Sequence, residues 1–158
     1  MAIAVGDILP EITVTDHEGN TGPLRSLLGA AGAVLYFYPK DNTPGCTTEA
    51  REFQQLSDRF AAMGMSVLGV SRDSVKSHQG FRQKQSLTFT LLSDTSGELC
   101  ELLGVWQEKQ RCGKTCMGLV RSTFVLDGTG RVLRAYENVR AAGHAQKVLD
   151  DMAAPAGG

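Results

Sequence analysis

At 158 residues the chain has room for one domain of roughly 150 residues, and its 42% hydrophobic and 21% charged composition is that of a globular protein. Sixteen Lys and Arg against seventeen Asp and Glu leave a net charge of -1, with no field of one sign to draw in a phosphate backbone, so nucleic acid is excluded as the main partner. The longest apolar stretch, Leu27 to Tyr38, is interrupted by Gly29 and Gly32 and falls short of the about 18 to 20 residues that cross a bilayer.

The N-terminal segment carries Asp7 and Glu11 where a signal peptide would be uncharged, which points to the cytoplasm and away from a membrane. In chain order, Asp16 to Asn20 (DHEGN) predicts a turn. Apolar runs at Ala33–Tyr38, Ser66–Val70, Phe89–Leu92, Ser122–Leu126 and Val132–Tyr136 then predict buried strands. Helical periodicity falls between them, at Thr47–Met63, Val75–Gln85, Ser96–Leu103 and His144–Met152. Alternation of the two implies an α/β layering, and the four turn formers Asp127 to Gly130 predict a hairpin, hence a mixed sheet. No repeat or charge block divides residues 1–152, which are expected to form the single domain; Ala153–Gly158 (AAPAGG) has the composition of a flexible tail.

Function turns on the cysteines. Four of them in a reducing compartment are catalytic, metal-binding or buried more often than disulfide-bonded. Cys46 closes the turn-rich loop Pro39-Lys40-Asp41-Asn42-Thr43-Pro44-Gly45 and opens a helix. Unpaired N–H groups and the positive end of the helix dipole favour a thiolate there, and the thiolate is the nucleophile.

Pro39, Thr43 and Cys46 stand in the order Pro-x-x-x-Thr-x-x-Cys, directly after the strand AVLYFY. This arrangement resembles the active-site signature of the peroxiredoxins, thiol peroxidases of thioredoxin-like fold. YFYPKDNTPGCTTEA, LLSD at Leu91–Asp94, GVW at Gly104–Trp106 and RSTFVLD at Arg121–Asp127 are similar to the bacterioferritin comigratory protein (peroxiredoxin Q) branch, over nearly the whole chain. The resemblance implies an α/β thioredoxin-like fold, a mixed central sheet flanked by helices on both faces. It implies that Cys46 attacks a peroxide and becomes a sulfenic acid. Thr43 would orient thiolate and peroxide together through a hydroxyl that both donates and accepts. Pro39 would keep water off the sulfur, Arg121 would supply positive charge, and the Gly45 and Cys46 amides would be further donors. Glu49 either orients an arginine or simply favours the helix dipole. A thioredoxin-type reductant and a monomer are also implied; unwinding of the first helical turn during turnover is expected because a sulfur inside a closed pocket cannot approach another to bonding distance.

The chain departs from that branch at the second, resolving cysteine. The position five residues after Cys46 is Arg51, and no cysteine occurs between Cys46 and Cys100. Cys100, beside Leu99, Leu102 and Leu103, reads first as a core residue and second as a candidate resolver of Cys46. Cys112 and Cys116 flank the expected three-residue turn Gly113-Lys114-Thr115, and one of them is expected to resolve Cys46; an external thiol and a mutual Cys112–Cys116 pairing are the alternatives. In one regular strand Cys116 and Arg121 would face opposite sides, unless Gly118 allows a bulge.

A metal centre is not expected, since His17, His78 and His144 are scattered singly. Gly113-Lys114-Thr115 lacks the glycine a phosphate loop needs, with Glu108 in its place, and no Cys-x-x-Cys exists. No nucleotide, flavin or haem motif is present, so no cofactor is expected. A peroxide sensor or chaperone-like protein that uses Cys46 without turnover is the competing reading.

Overall fold

The computed structural model describes residues 3–111 and 114–153. In chain order these form β1 (Thr13–Thr15), β2 (Thr21–Pro23), a 3-10 turn (Leu24–Leu27), β3 (Gly32–Phe37), α1 (Pro44–Ala62), β4 (Met65–Ser71), α2 (Val75–Gln85) and β5 (Thr90–Ser93). They continue with α3 (Glu98–Leu102), β6 (Trp106–Arg111), β7 (Lys114–Leu119), β8 (Ser122–Leu126), β9 (Val132–Tyr136) and α4 (His144–Ala153).

Five strands make the central sheet in the order β5-β4-β3-β8-β9. Parallel pairs β3/β4 and β4/β5 meet antiparallel pairs β3/β8 and β8/β9 at the central strand, giving the mixed sheet that the Asp127–Gly130 turn predicted. All six residues of β3 are buried. Their alternation divides two cores: Ala33, Leu35 and Phe37 face one side with Leu68, Val70, Phe124 and Leu99 of α3. Val34 and Tyr36 face the other, with Phe53 and Phe60 of α1, Phe81 of α2 and Val148 and Leu149 of α4. Helices therefore cover both faces. Phe53 is central, its ring stacked 4.5 Å from that of Tyr36, and truncating such a side chain to alanine destabilises by about 3–5 kcal/mol. Gly32 has φ 131° and passes so close to β8 that a Cβ would stand 1.8 Å from the Leu126 carbonyl oxygen. No other residue fits there.

The five strands lie within one residue of the predicted bounds at each end, and α2 matches its range. Three boundaries differ. α1 begins at Pro44, three residues before the expected Thr47, because proline is favoured in a first turn whose N–H groups are unpaired anyway. α3 is limited to Glu98–Leu102, with the left-handed Gly97 (φ 78°) before it. Ala153, assigned to the tail, ends α4, and residues 154–158 lie outside the described residues. Cys116 lies in an antiparallel ladder running from Trp106↔Leu119 to Arg111↔Lys114. Lys114 and Thr115, expected in the turn, belong to β7, while Cys112 and Gly113 lie outside the described residues. Among the described residues no helix is long and apolar enough to cross a membrane.

Candidate active site

Buried strand β3 delivers the chain to the edge of the core, and Pro39 and Lys40 emerge exposed. Asn42 takes a left-handed conformation (φ 64°), Thr43 is the extended N-cap of α1 (φ -86°, ψ 154°), and Pro44 starts the helix. Cys46 is the third helical residue, only 1% exposed. The first helical bond runs from Thr47 N to the Thr43 carbonyl (2.9 Å), so the Gly45 and Cys46 amides precede it and keep their hydrogens for a ligand.

Arg121 arrives from the segment between β7 and β8. Its Nη2 donates to Cys46 Sγ at 3.4 Å, and its Nη1 donates to Glu49 Oε1 at 2.6 Å. Glu49 is three residues beyond Cys46 and therefore on the same face of α1. A Cβ at position 45 would stand 3.1 Å from Arg121 Nη2, so glycine there leaves the guanidinium its path along the first turn. Glu49 is fully buried, with Oε2 unpartnered. Burial pushes its carboxyl up to about 7, against the pull of Arg121. Burial disfavours the charge on Arg121, but Glu49 and Cys46 outweigh it and raise the guanidinium further above its ordinary value. The result is one cation fixed between a buried carboxylate and a buried sulfur.

Thr43 departs from its expected dual role. Its hydroxyl donates to the Lys40 carbonyl at 2.9 Å, and because a carbonyl only accepts, the Thr43 proton is committed. Oγ1 is left as an acceptor, suited to a peroxide O–H rather than to a thiolate. Pro39 is exposed, while the seclusion of Cys46 comes from the core it shares with Tyr36, Ala50 and Phe53.

The other cysteines separate. Cys100 lies in the opposite core, so the central sheet stands between it and Cys46, and its place as a candidate resolver gives way to the core reading. Burial, with Asp94 beside it, pushes its thiol well up. Cys116 is in β7 with Lys109 as its backbone partner, and Cys112 lies outside the described residues. The parity objection to Cys116 lapses, because β7 ends at Leu119 and β8 begins at Ser122 in a different sheet.

Two features escaped the sequence reading. Among the described residues Asp41, Asp73 and His78 bring ligand-type atoms within 4.8 Å of one another, close enough to hold a cation. In this structure those atoms are engaged instead by hydrogen bonds: Tyr38 Oη and Ser77 Oγ donate to Asp41 (2.6 and 2.8 Å), and Ser71 Oγ donates to Asp73 (2.7 Å). His144 packs its Nε2 2.7 Å from Thr123 Oγ1, and burial, helped by the positive Arg121 and Lys147, lowers its imidazole to about 4. Histidines read as scattered are thus fixed by partners far away in sequence.

Comparison with known proteins agrees with this geometry. Residues 5–135 match the AhpC/TSA family. The putative peroxiredoxin bcp of Coxiella burnetii is 44% identical over 94% of this chain and 98% of its own length, and peroxiredoxin Bcp of Bacillus subtilis is 39% identical over 96% of each. The crystal structure of a PrxQ cysteine-to-serine mutant from Xylella fastidiosa superposes with a TM-score of 0.89 at 39% identity, covering 96% of both chains. A Xanthomonas campestris bacterioferritin comigratory protein, whose structures concern alkyl peroxide reduction, gives 0.84 at 42% identity over 92% of this chain and 97% of that one. With a buried cysteine at a helix N-terminus, an arginine on its sulfur and this match along most of its length, the chain belongs to the AhpC/TSA family of thioredoxin-fold thiol peroxidases, in the Bcp/peroxiredoxin Q branch.

Proposed function

We propose that Cys46 is the peroxidatic cysteine and that it reduces hydrogen peroxide and organic hydroperoxides. The observation that carries this reading is the 3.4 Å contact from Arg121 Nη2 to Cys46 Sγ at the unpaired N-terminus of α1. The Cys46 thiolate attacks the terminal oxygen of the hydroperoxide; an S–O bond forms, the O–O bond breaks, and the leaving oxygen takes a proton as water or alcohol. Arg121 and the Gly45 and Cys46 amides stabilise the charge that develops, and Thr43 Oγ1 accepts from the peroxide. Pro39 borders the loop and limits its freedom on the side facing solvent.

The sulfenic acid then condenses with a second thiol, releasing water and forming a disulfide. Cys112 or Cys116 is the internal candidate, reached by unwinding the first turn of α1 because a secluded sulfur cannot otherwise come within bonding distance. A thioredoxin-type dithiol returns the enzyme to its reduced state by exchange, with no cofactor, in a cytoplasmic monomer. Peroxide-treated protein from Cys112→Ser and Cys116→Ser variants, mapped by non-reducing peptide mass spectrometry, tests the resolver. Loss of the Cys46 disulfide in one variant names it, and an unchanged disulfide in both rejects the pair.

A further inference from the structure

Cys46 is held from two directions. Arg121 reaches it from β8's side of the sheet, and a second set of contacts, which the peroxidase reading leaves unused, fastens the loop ahead of it to α2. Asp41 is 4% exposed and His78 is fully buried. His78 Nδ1 lies 2.7 Å from Asp41 Oδ2, and His78 Nε2 lies 2.9 Å from the Leu92 carbonyl. A carbonyl only accepts, so Nε2 carries a hydrogen. The Asp41–His78 contact is then bridged by one proton, and Tyr38 Oη and Ser77 Oγ donate the remaining hydrogen bonds to the same carboxyl group. The backbone of the loop is tied separately, to the segment between β4 and α2, for Asp41 N donates to Asp73 Oδ2 at 2.8 Å, and Ser93 Oγ donates to the Asp73 carbonyl.

We propose that Asp41 is a positioning residue: through His78 its carboxyl group latches the loop onto α2 and so holds Thr43 and the first turn of α1 in the peroxide-reactive arrangement. The inference rests on the reading of Cys46 as the peroxidatic thiol. The next residue, Asn42, sits at φ 64°, a left-handed conformation that asparagine adopts more readily than other non-glycine residues and that sets the direction in which the loop enters α1. It is fixed on one side by the latch and on the other by Thr43, whose hydroxyl returns to Lys40. Releasing the Asp41 carboxyl group removes the hold on one side and leaves Asn42 with only the Asp41 amide on Asp73 and the Thr43 hydroxyl on Lys40. A relaxed Asn42 moves the Thr43 acceptor and the Gly45 and Cys46 amides away from the sulfur, and misplacement by about 1 Å lowers a rate by about 10²-fold.

The test compares two reactions of Cys46 in the fully reduced chain, well below each variant's melting temperature. Oxidation by hydrogen peroxide needs the ordered site, whereas alkylation by iodoacetamide needs only an accessible thiolate. Asp41→Ala is expected to lower the peroxide rate constant at least about tenfold while alkylation of Cys46 speeds up. Asp41→Asn, whose amide can accept from Tyr38 and donate to His78 Nδ1, should keep most of the peroxide rate. Ser77→Ala removes a single hydrogen bond to the latch and should shift both rates in the same directions by less, which keeps the question answerable if Asp41→Ala does not fold. Folded Asp41→Ala or Ser77→Ala protein with wild-type values for both rates overturns the latch. If wild-type Cys46 itself is not oxidised, the peroxidase reading has failed instead.

Discussion

Cys46 and Cys100 are the same residue type, both buried, on opposite faces of one sheet, and they differ in what surrounds the sulfur. Around Cys46 are a helix N-terminus, two unpaired amides and the Arg121 guanidinium. Cys100 is enclosed by Leu99, Leu103 and other apolar side chains, and the charged group beside it is the Asp94 carboxylate, which accepts from its amide at 2.8 Å. Burial alone silences a thiol; on the proposed reading, the fixed cation and the free N–H donors are what make the buried Cys46 sulfur the nucleophile.

The sharpest way to break this comparison is to exchange the sulfurs for oxygen. Cys46→Ser should abolish peroxide consumption, whereas Cys100→Ser should leave the rate close to wild type and lower only the melting temperature; peroxide turnover with a reducing dithiol present measures both. Next in size is Arg121→Ala. Removing a donor preorganised at developing charge lowers a rate by about 10²–10³-fold. It also strands the buried Glu49 carboxylate, which destabilises by about 3–5 kcal/mol, so denaturant unfolding has to be read beside the kinetics. Thr43→Val, which keeps the shape and removes the acceptor, should lower the peroxide rate roughly tenfold, and Thr43→Ser should restore it.

The smallest expected effects are on the pH dependence of stability. Glu49 has its carboxyl raised from 4.5 to about 7 in the folded protein. Its protonated, stabilising form is fully present below about 4.5, and that contribution is lost as pH rises towards 7. His144 is opposite: lowered from 6.5 to about 4, it contributes stability above 6.5 that is lost as pH falls towards 4. The two slopes oppose each other between about 4.5 and 6.5. Denaturant unfolding of Glu49→Gln over this range should expose the His144 slope alone, stability rising with pH more steeply than in the wild type.

Apolar runs made the central sheet legible, because β3, β4, β5 and β8 are buried and read as nearly continuous hydrophobic strings. β1, β2, β6 and β7 were not legible: TVT, TGP, WQEKQR and KTCMGL carry neither a clean alternation nor an apolar run, and they form by pairing with each other. The turn-rich loop and the helix start at Cys46 were visible in its proline and glycine residues, whereas the roles of Pro39 and Thr43 came from family resemblance. The role of Arg121 came from family resemblance, since a lone arginine before a strand has no local signature, and its partners Cys46 and Glu49 are 75 and 72 positions away. Asp41 and His78 went unread for the same reason, meeting across 37 residues. Composition and period report burial; they do not report which two polar groups share a buried contact.

The central claim is that the environment of Cys46, and not the mere presence of a thiol, makes this chain a peroxidase. One equivalent of hydrogen peroxide added to the reduced protein, followed by thiol blocking and peptide mass mapping, tests it directly. The account predicts oxidation at Cys46, as a disulfide or a sulfenic acid, with Cys100 recovered as a free thiol. Oxidised Cys100 alongside a reduced Cys46 would contradict it.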